Sequence, residues 1–110
     1  MPQSEEGRLI AETQGQFVGR FKVEEYTVRV NGTFNPPVSF SVPIAILEYN
    51  SLADLNGTYD FTAPTSLVGQ ATINLVLFKA SGVQLTITGV LTVPTEDPIP
   101  ITGTARWFQS

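Results

Sequence analysis

The chain contains no cysteine and no histidine. The first absence excludes disulfides and thiolate metal sites. The second removes the commonest metal ligand and the commonest general base at neutral pH. A serine or cysteine nucleophile activated by histidine therefore cannot be assembled within this chain, and no cofactor or metal is expected. Charge is scarce as well: charged residues are 15% of the chain, where ~25% is usual. The net charge is −4, and the six Lys and Arg are scattered singly. Neither nucleic-acid binding through phosphates nor adhesion to an anionic membrane is expected. No apolar run approaches bilayer length. The start, "MPQSEEGRLIAE", has two adjacent Glu and no apolar leader segment, so a cytoplasmic location is the default, with a mature secreted form as the alternative.

What is present favours sheet. Hydrophobic residues make up 42% of 110, with many Thr, Val, Ile and Phe, the residues that suit a half-buried pleated surface. This balance argues against disorder, and the length fits one domain with one core. Period-2 alternation recurs, and helical periodicity does not. The pattern predicts a flexible tail over 1–7, a single β domain over 8–110, and a first strand over 8–13. A long strand over 16–30 follows, with Phe17, Phe21 and Val23 inward. Its phase changes at Glu24-Glu25, which suggests a bulge or a bend. Over 38–46, Val38, Phe40, Val42, Ile44 and Ile46 alternate with smaller residues. Residues 48–57 read as a loop with room for one helical turn. Pro43 and Pro100 lack a donor, so their strands are edges or bulged there.

The last forty residues can be registered by keeping apolar groups on one face. A three-residue loop ending at a left-handed Gly82 pairs Leu77 with Leu85, Leu75 with Ile87 and Ile73 with Gly89. A turn at "PTEDP" (94–98) would pair Val93 with Ile99, Gly89 with Gly103 and Leu85 with Trp107. The expected result is a three-strand meander over 69–79, 83–93 and 99–108. Gly89 and Gly103 would then lie beside Ile73 and leave a hollow.

"VNGTF" (30–34) and "LNGTY" (55–59) share a pattern. Both read as three-residue turns, Val30-Asn31-Gly32 and Leu55-Asn56-Gly57, because Asn and Gly tolerate positive φ. Flanking sequences do not match, so this is shared turn chemistry, not duplication. Both also satisfy the glycosylation pattern Asn-x-Thr, for which unoccupied surface Asn is the simpler reading.

Candidate functional residues are few. Glu24-Glu25, Glu96-Asp97 and Asp60 read as turn or surface carboxylates. Arg20, Lys22 and Arg29 share a face, which reads as solvated first and as an anion-binding stripe second. Arg106 faces away from its neighbour Trp107. Tyr26, Tyr59, Ile73, Gly89, Gly103 and Trp107 are the candidate lining of an apolar ligand pocket. Val76, Phe78, Val90 and Phe108 are unusually apolar for an outer face and are the candidate interface.

"LNGTYDF" resembles the Gly-x-Tyr strand starts of streptavidin-like barrels over seven residues. "GVQLTITGVLTV…IPITGTARW" resembles the closing strands of allene oxide cyclase-like and dirigent-like barrels over about a quarter of the chain. Both resemblances imply a small barrel, and neither carries a functional residue over.

The expected architecture is all-β: an antiparallel meander of about seven to eight strands in a small barrel, with a β-sandwich as the alternative. The expected function is a non-catalytic interaction or assembly module, a homo-oligomer or a partner in a larger complex. The alternatives are a barrel holding an apolar small molecule, which could guide a cofactor-free cyclisation or isomerisation, and a carbohydrate-binding module.

Overall fold

The computed structural model describes residues 3–11, 15–35, 37–62 and 65–109. Ten strands follow one another: β1 (Gln3–Ala11), β2 (Gln16–Val23), β3 (Tyr26–Asn35), β4 (Phe40–Tyr49), β5 (Gly57–Phe61), β6 (Leu67–Gly69), β7 (Thr72–Phe78), β8 (Gln84–Val90), β9 (Ile99–Pro100) and β10 (Thr102–Gln109). A single 3-10 turn, Leu52–Asp54, lies between β4 and β5. Eight of the strands close into an antiparallel barrel, in the cyclic order β4-β1-β2-β3-β10-β5-β7-β8 and back to β4. The short β6 and β9 pair with each other, and β6 also pairs with β7 beyond the ring. Closure removes the free edges that an open sheet would present.

The barrel and its antiparallel pairing are as expected, but the connectivity is richer than a meander. Strands β1, β2 and β3 run consecutively, and β4 returns to lie beside β1. Strands β5, β7 and β8 do the same, and β10 returns beside β5. Each half is a Greek key. The halves join through β3 with β10 and β4 with β8.

The β7–β8 hairpin has the expected register, with Leu77 opposite Leu85, Leu75 opposite Ile87 and Ile73 opposite Gly89. Its loop is the three-residue one: Gly82 has φ +97°, and Lys79 N–H donates to the Val83 carbonyl at 2.9 Å. The expected pairing of β8 with the last strand does not occur. β8 pairs instead with β4, placing Leu47 opposite Ile87 and Ala45 opposite Gly89. The reason is complementary size. In β10, Gly103 lies between Phe34 and Phe61, and Ala105 lies between Gly32 and Tyr59. Large rings on the flanking strands need small residues between them, and β8 does not supply those rings.

Four further expectations are corrected. β1 begins at Gln3, inside the stretch read as a tail. The chain reverses at Glu24-Glu25, where a bulge or a bend was expected, and Glu24 takes φ +56°. Asn31-Gly32 is not a turn but the middle of β3. Glycine is required there for another reason: Gly32 faces Phe17, and a Cβ would overlap the Phe17 ring. Fourth, Ile44 and Ile46 are not inward. Phe40 and Val42 are buried, then the phase slips, and Ala45, Leu47 and Tyr49 are buried while Ile44 is 61% exposed. The slip coincides with a bulge in the β1–β4 ladder between Gly7 and Leu9, opposite the donor-less Pro43. Pro100 lies on the short outer strand β9, as its missing donor suggests.

The second motif behaves as expected. Leu55 to Gly57 turn the chain, with Gly57 at φ +87°, and Tyr59 and Phe61 are fully buried. The inner face also holds Ile73, Leu85 and Ile101, each at most 1% exposed.

Candidate functional site

The interior offers no hollow beside the strand glycines. Val42 packs where a side chain at Gly89 would go, and the backbone of Thr33 and Phe34 occupies the space at Gly103. The two glycines lie on strands that do not pair, so the expected cavity beside Ile73 is absent. Aromatic rings fill one part of the core: Phe17 lies 6.0 Å from both Phe34 and Phe61, and Phe34 lies 5.8 Å from Phe40. Elsewhere Phe21 packs 6.0 Å from Trp107.

The candidate pocket residues are therefore dispersed. Ile73 and Trp107 are core, Gly89 and Gly103 are close approaches, and Tyr26 is exposed beside the β2–β3 turn. Tyr59 is a brace: its Oη donates to the Asp54 carbonyl at 2.6 Å. Lys79 Nζ donates to the Asn56 carbonyl at 2.9 Å and lies 5.2 Å from the centre of the Tyr59 ring. Together they hold the loop leading into β5, where Leu55 is fully buried. Trp107 Nε1 is buried without a hydrogen-bond partner among the described residues.

Burial, then the Asp54 carboxylate, pushes the Tyr59 phenol up to about 12. Burial, then Glu5 and Glu24, raises Tyr49. The neutral phenols are the forms the folded state favours. Their stabilisation is complete below the unfolded value of ~10 and is lost as the pH rises above it, for Tyr59 towards about 12, because the unfolded chain releases its protons first. Wild type should lose urea resistance steadily between about pH 10 and 12. Tyr59→Phe should start lower, for want of the bond to Asp54, and decline less over that window. Equal slopes in both proteins would remove Tyr59 as the cause.

The candidate interface residues do not form one patch. Val76 is buried, its N–H donating to Ser66 Oγ at 3.0 Å. Ser66, which sequence reasoning overlooked, is itself fully buried and accepts the Ile101 N–H on its carbonyl at 3.0 Å. It fastens the β6 region to both β7 and the start of β10. Phe78 and Val90 are exposed at opposite ends of the β7–β8 hairpin. Phe108 lies opposite Arg29, far around the ring from Val90.

What the outer wall does gather is charge. Arg8 lies opposite Arg20, Arg20 opposite Arg29, and Arg29 opposite Phe108, a single row across β1, β2, β3 and β10. This row crosses a surface groove of about 820 Å³, also lined by Lys22, Ile10, Val18, Pro43 and Ile44, with Glu6 as its one carboxylate among the described residues. The arginines were visible in the sequence, but their alignment was not. It follows from reversal at Glu24-Glu25, which the stronger turn signal at Asn31-Gly32 concealed. The row holds no general base, and no group of His, Cys, Asp or Glu among the described residues could hold a metal ion.

No family model and no curated protein matches the chain. Among solved structures, it is similar in fold to the virulence-associated protein VapB of Rhodococcus equi, with a TM-score of 0.56 at 13% identity over 98% of each chain. It is also similar to the virulence-associated protein VapD of the same organism, with a TM-score of 0.51 at 15% identity over 98% of this chain and 97% of that one. At such identities the likeness is one of fold, a closed β-barrel. No helix among the described residues is long and apolar enough to cross a membrane.

Proposed function

We propose that this chain is a non-catalytic β-barrel module that works through its outer wall, by self-association or as part of a larger complex. One observation carries the reading: the interior is packed hydrocarbon, while apolar and cationic groups stand outside. Among the described residues, Ser66 is the only buried one of polar or charged type. Outside, Val18 is 56% exposed and Ile44 61%. Buried side chains without acid–base chemistry make a scaffold, and functional groups on a scaffold lie on its surface. The barrel shared with two virulence-associated proteins agrees with a non-enzymatic module, and a cytoplasmic setting remains part of the proposal.

An apolar ligand inside the barrel, with or without a guided cyclisation, has the packing at Gly89 and Gly103 against it. A carbohydrate platform has the burial of Tyr59 and Trp107 against it. Light scattering at micromolar concentration should give a mass well above the 11.9 kDa of one chain, or a stable complex should form with a protein partner. A strict monomer whose native state takes up an apolar dye, displaced by one class of lipid, would replace this reading with the interior-ligand one.

A further inference from the structure

We infer that the groove crossed by Arg8, Arg20 and Arg29 is a docking site for an acidic segment of a protein partner, flanked by apolar residues. The inference rests on the interaction-module reading and names the partner's chemistry.

The argument begins with cost. Like charges directly opposite on neighbouring strands destabilise a sheet. Here three guanidinium groups occupy one row, with backbones roughly 5 Å apart at each step. All three residues are exposed, and none has an ion pair with a described residue. Lys22 joins them in the groove, so it gathers four of the six cations of a chain whose net charge is −4. Of the nine carboxylates among the described residues only Glu6 lines it. A fold that concentrates cations without an ion pair among the described residues, against its own overall charge, is prepared for an external anion. Arginine favours carboxylate or phosphate, which its planar fork can hold by two hydrogen bonds.

The surroundings of the row select among anions. The bulge in β4 turns Pro43 and Ile44 outward at one end of the groove, and Phe108 lies at the other. Val18 and Ile10 line it alongside the arginines. A free phosphate or a sulfated glycan has no use for these apolar groups. A membrane surface is met by protruding side chains, whereas these line a recess. From β4 to β10 the groove crosses four strand spacings, about 19 Å, the length of about six residues of extended chain. The fitting occupant has carboxylates in its middle and an apolar residue towards each end.

The test uses the whole chain and a fluorescein-labelled peptide, Leu-Glu-Asp-Glu-Glu-Phe, with blocked ends. Binding read by anisotropy at about 50 mM salt should saturate and should weaken markedly at about 500 mM. The triple variant R8Q/R20Q/R29Q should bind about tenfold or more weakly, and Ile44→Ser with Val18→Ser several-fold more weakly. The thermal midpoint of the triple variant should equal or exceed that of wild type, because repulsion has been removed. The same peptide with Gln and Asn in place of its acids should not bind. No binding by wild type, or equal binding by the triple variant, overturns the assignment. So does arginine-dependent binding to vesicles containing phosphatidylserine, or to heparin, when the peptide is ignored. A chain that oligomerises or finds a partner yet ignores the peptide loses only the acidic occupant, and the module reading stands.

Discussion

Gly103→Ala should destabilise the protein by about 3 kcal/mol or more, near the upper end of what one added methyl costs in a packed interior. The new Cβ would meet the Thr33 carbonyl oxygen and the Phe34 Cα. Both are backbone atoms of β3, which is held on its far side by β2 and cannot retreat alone. Flexible side chains can turn away from a clash, and a strand inside a closed ring cannot. The thermal midpoint should fall by more than about 10 °C. The hollow anticipated from the two strand glycines makes the opposite forecast. In an open space the added methyl would be accommodated, and the alanine would stabilise by about 0.4–1 kcal/mol through the unfolded chain. A midpoint at or above that of wild type would therefore show that β10 is not inserted between β3 and β5.

Trp107→Ala should cost about 3–5 kcal/mol, the range for removing a large buried side chain. That is a large share of the ~5–15 kcal/mol that holds a typical domain together. Trp107 is 1% exposed and packs on Phe21, two strands away around the ring. Its removal leaves a dry cavity of indole shape. Added indole should restore part of the lost stability, because a ligand bound only by the folded state shifts the folding equilibrium. Trp107→Phe should differ from wild type by far less, within about 1 kcal/mol. It loses some contact area, but it also removes an indole N–H that is buried without a partner among the described residues, a defect that costs about 1–3 kcal/mol. Urea midpoints at unchanged slope would measure all three proteins. If Trp107→Phe were as damaging as Trp107→Ala, the indole N–H would have to be making a bond essential to the fold.

Much of the outer groove was present in the sequence without being legible as a groove. Arg20 and Arg29 could be placed on one face by counting in twos and allowing for the phase change at Glu24-Glu25. Placing them opposite each other needed the reversal at Glu24-Glu25, and that turn carries neither Gly nor Asn. It is imposed by the pairing of β2 with β3, at a positive φ that glutamate does not prefer. The Asn-Gly of "VNGTF" offered a stronger local signal and was overruled, because Gly32 is needed beneath Phe17. Bringing Arg8 into the row required β1, whose first residues look like a solvated end. Ile44 reached the groove only through a bulge across from Pro43.

The amino-acid order by itself determined which side of most strands is apolar, the part of β4 beyond its bulge excepted, and which loop closes the β7–β8 hairpin. Both are local matters: alternate side chains point oppositely from any extended backbone, and three residues ending in a left-handed glycine reverse it in one way. Only the tertiary structure decided which strands are neighbours. That choice is made between segments up to about eighty positions apart, where every candidate pairing buries apolar groups. What selects among them is the fit of rings against small residues around a closed circuit, a condition that no single segment can express.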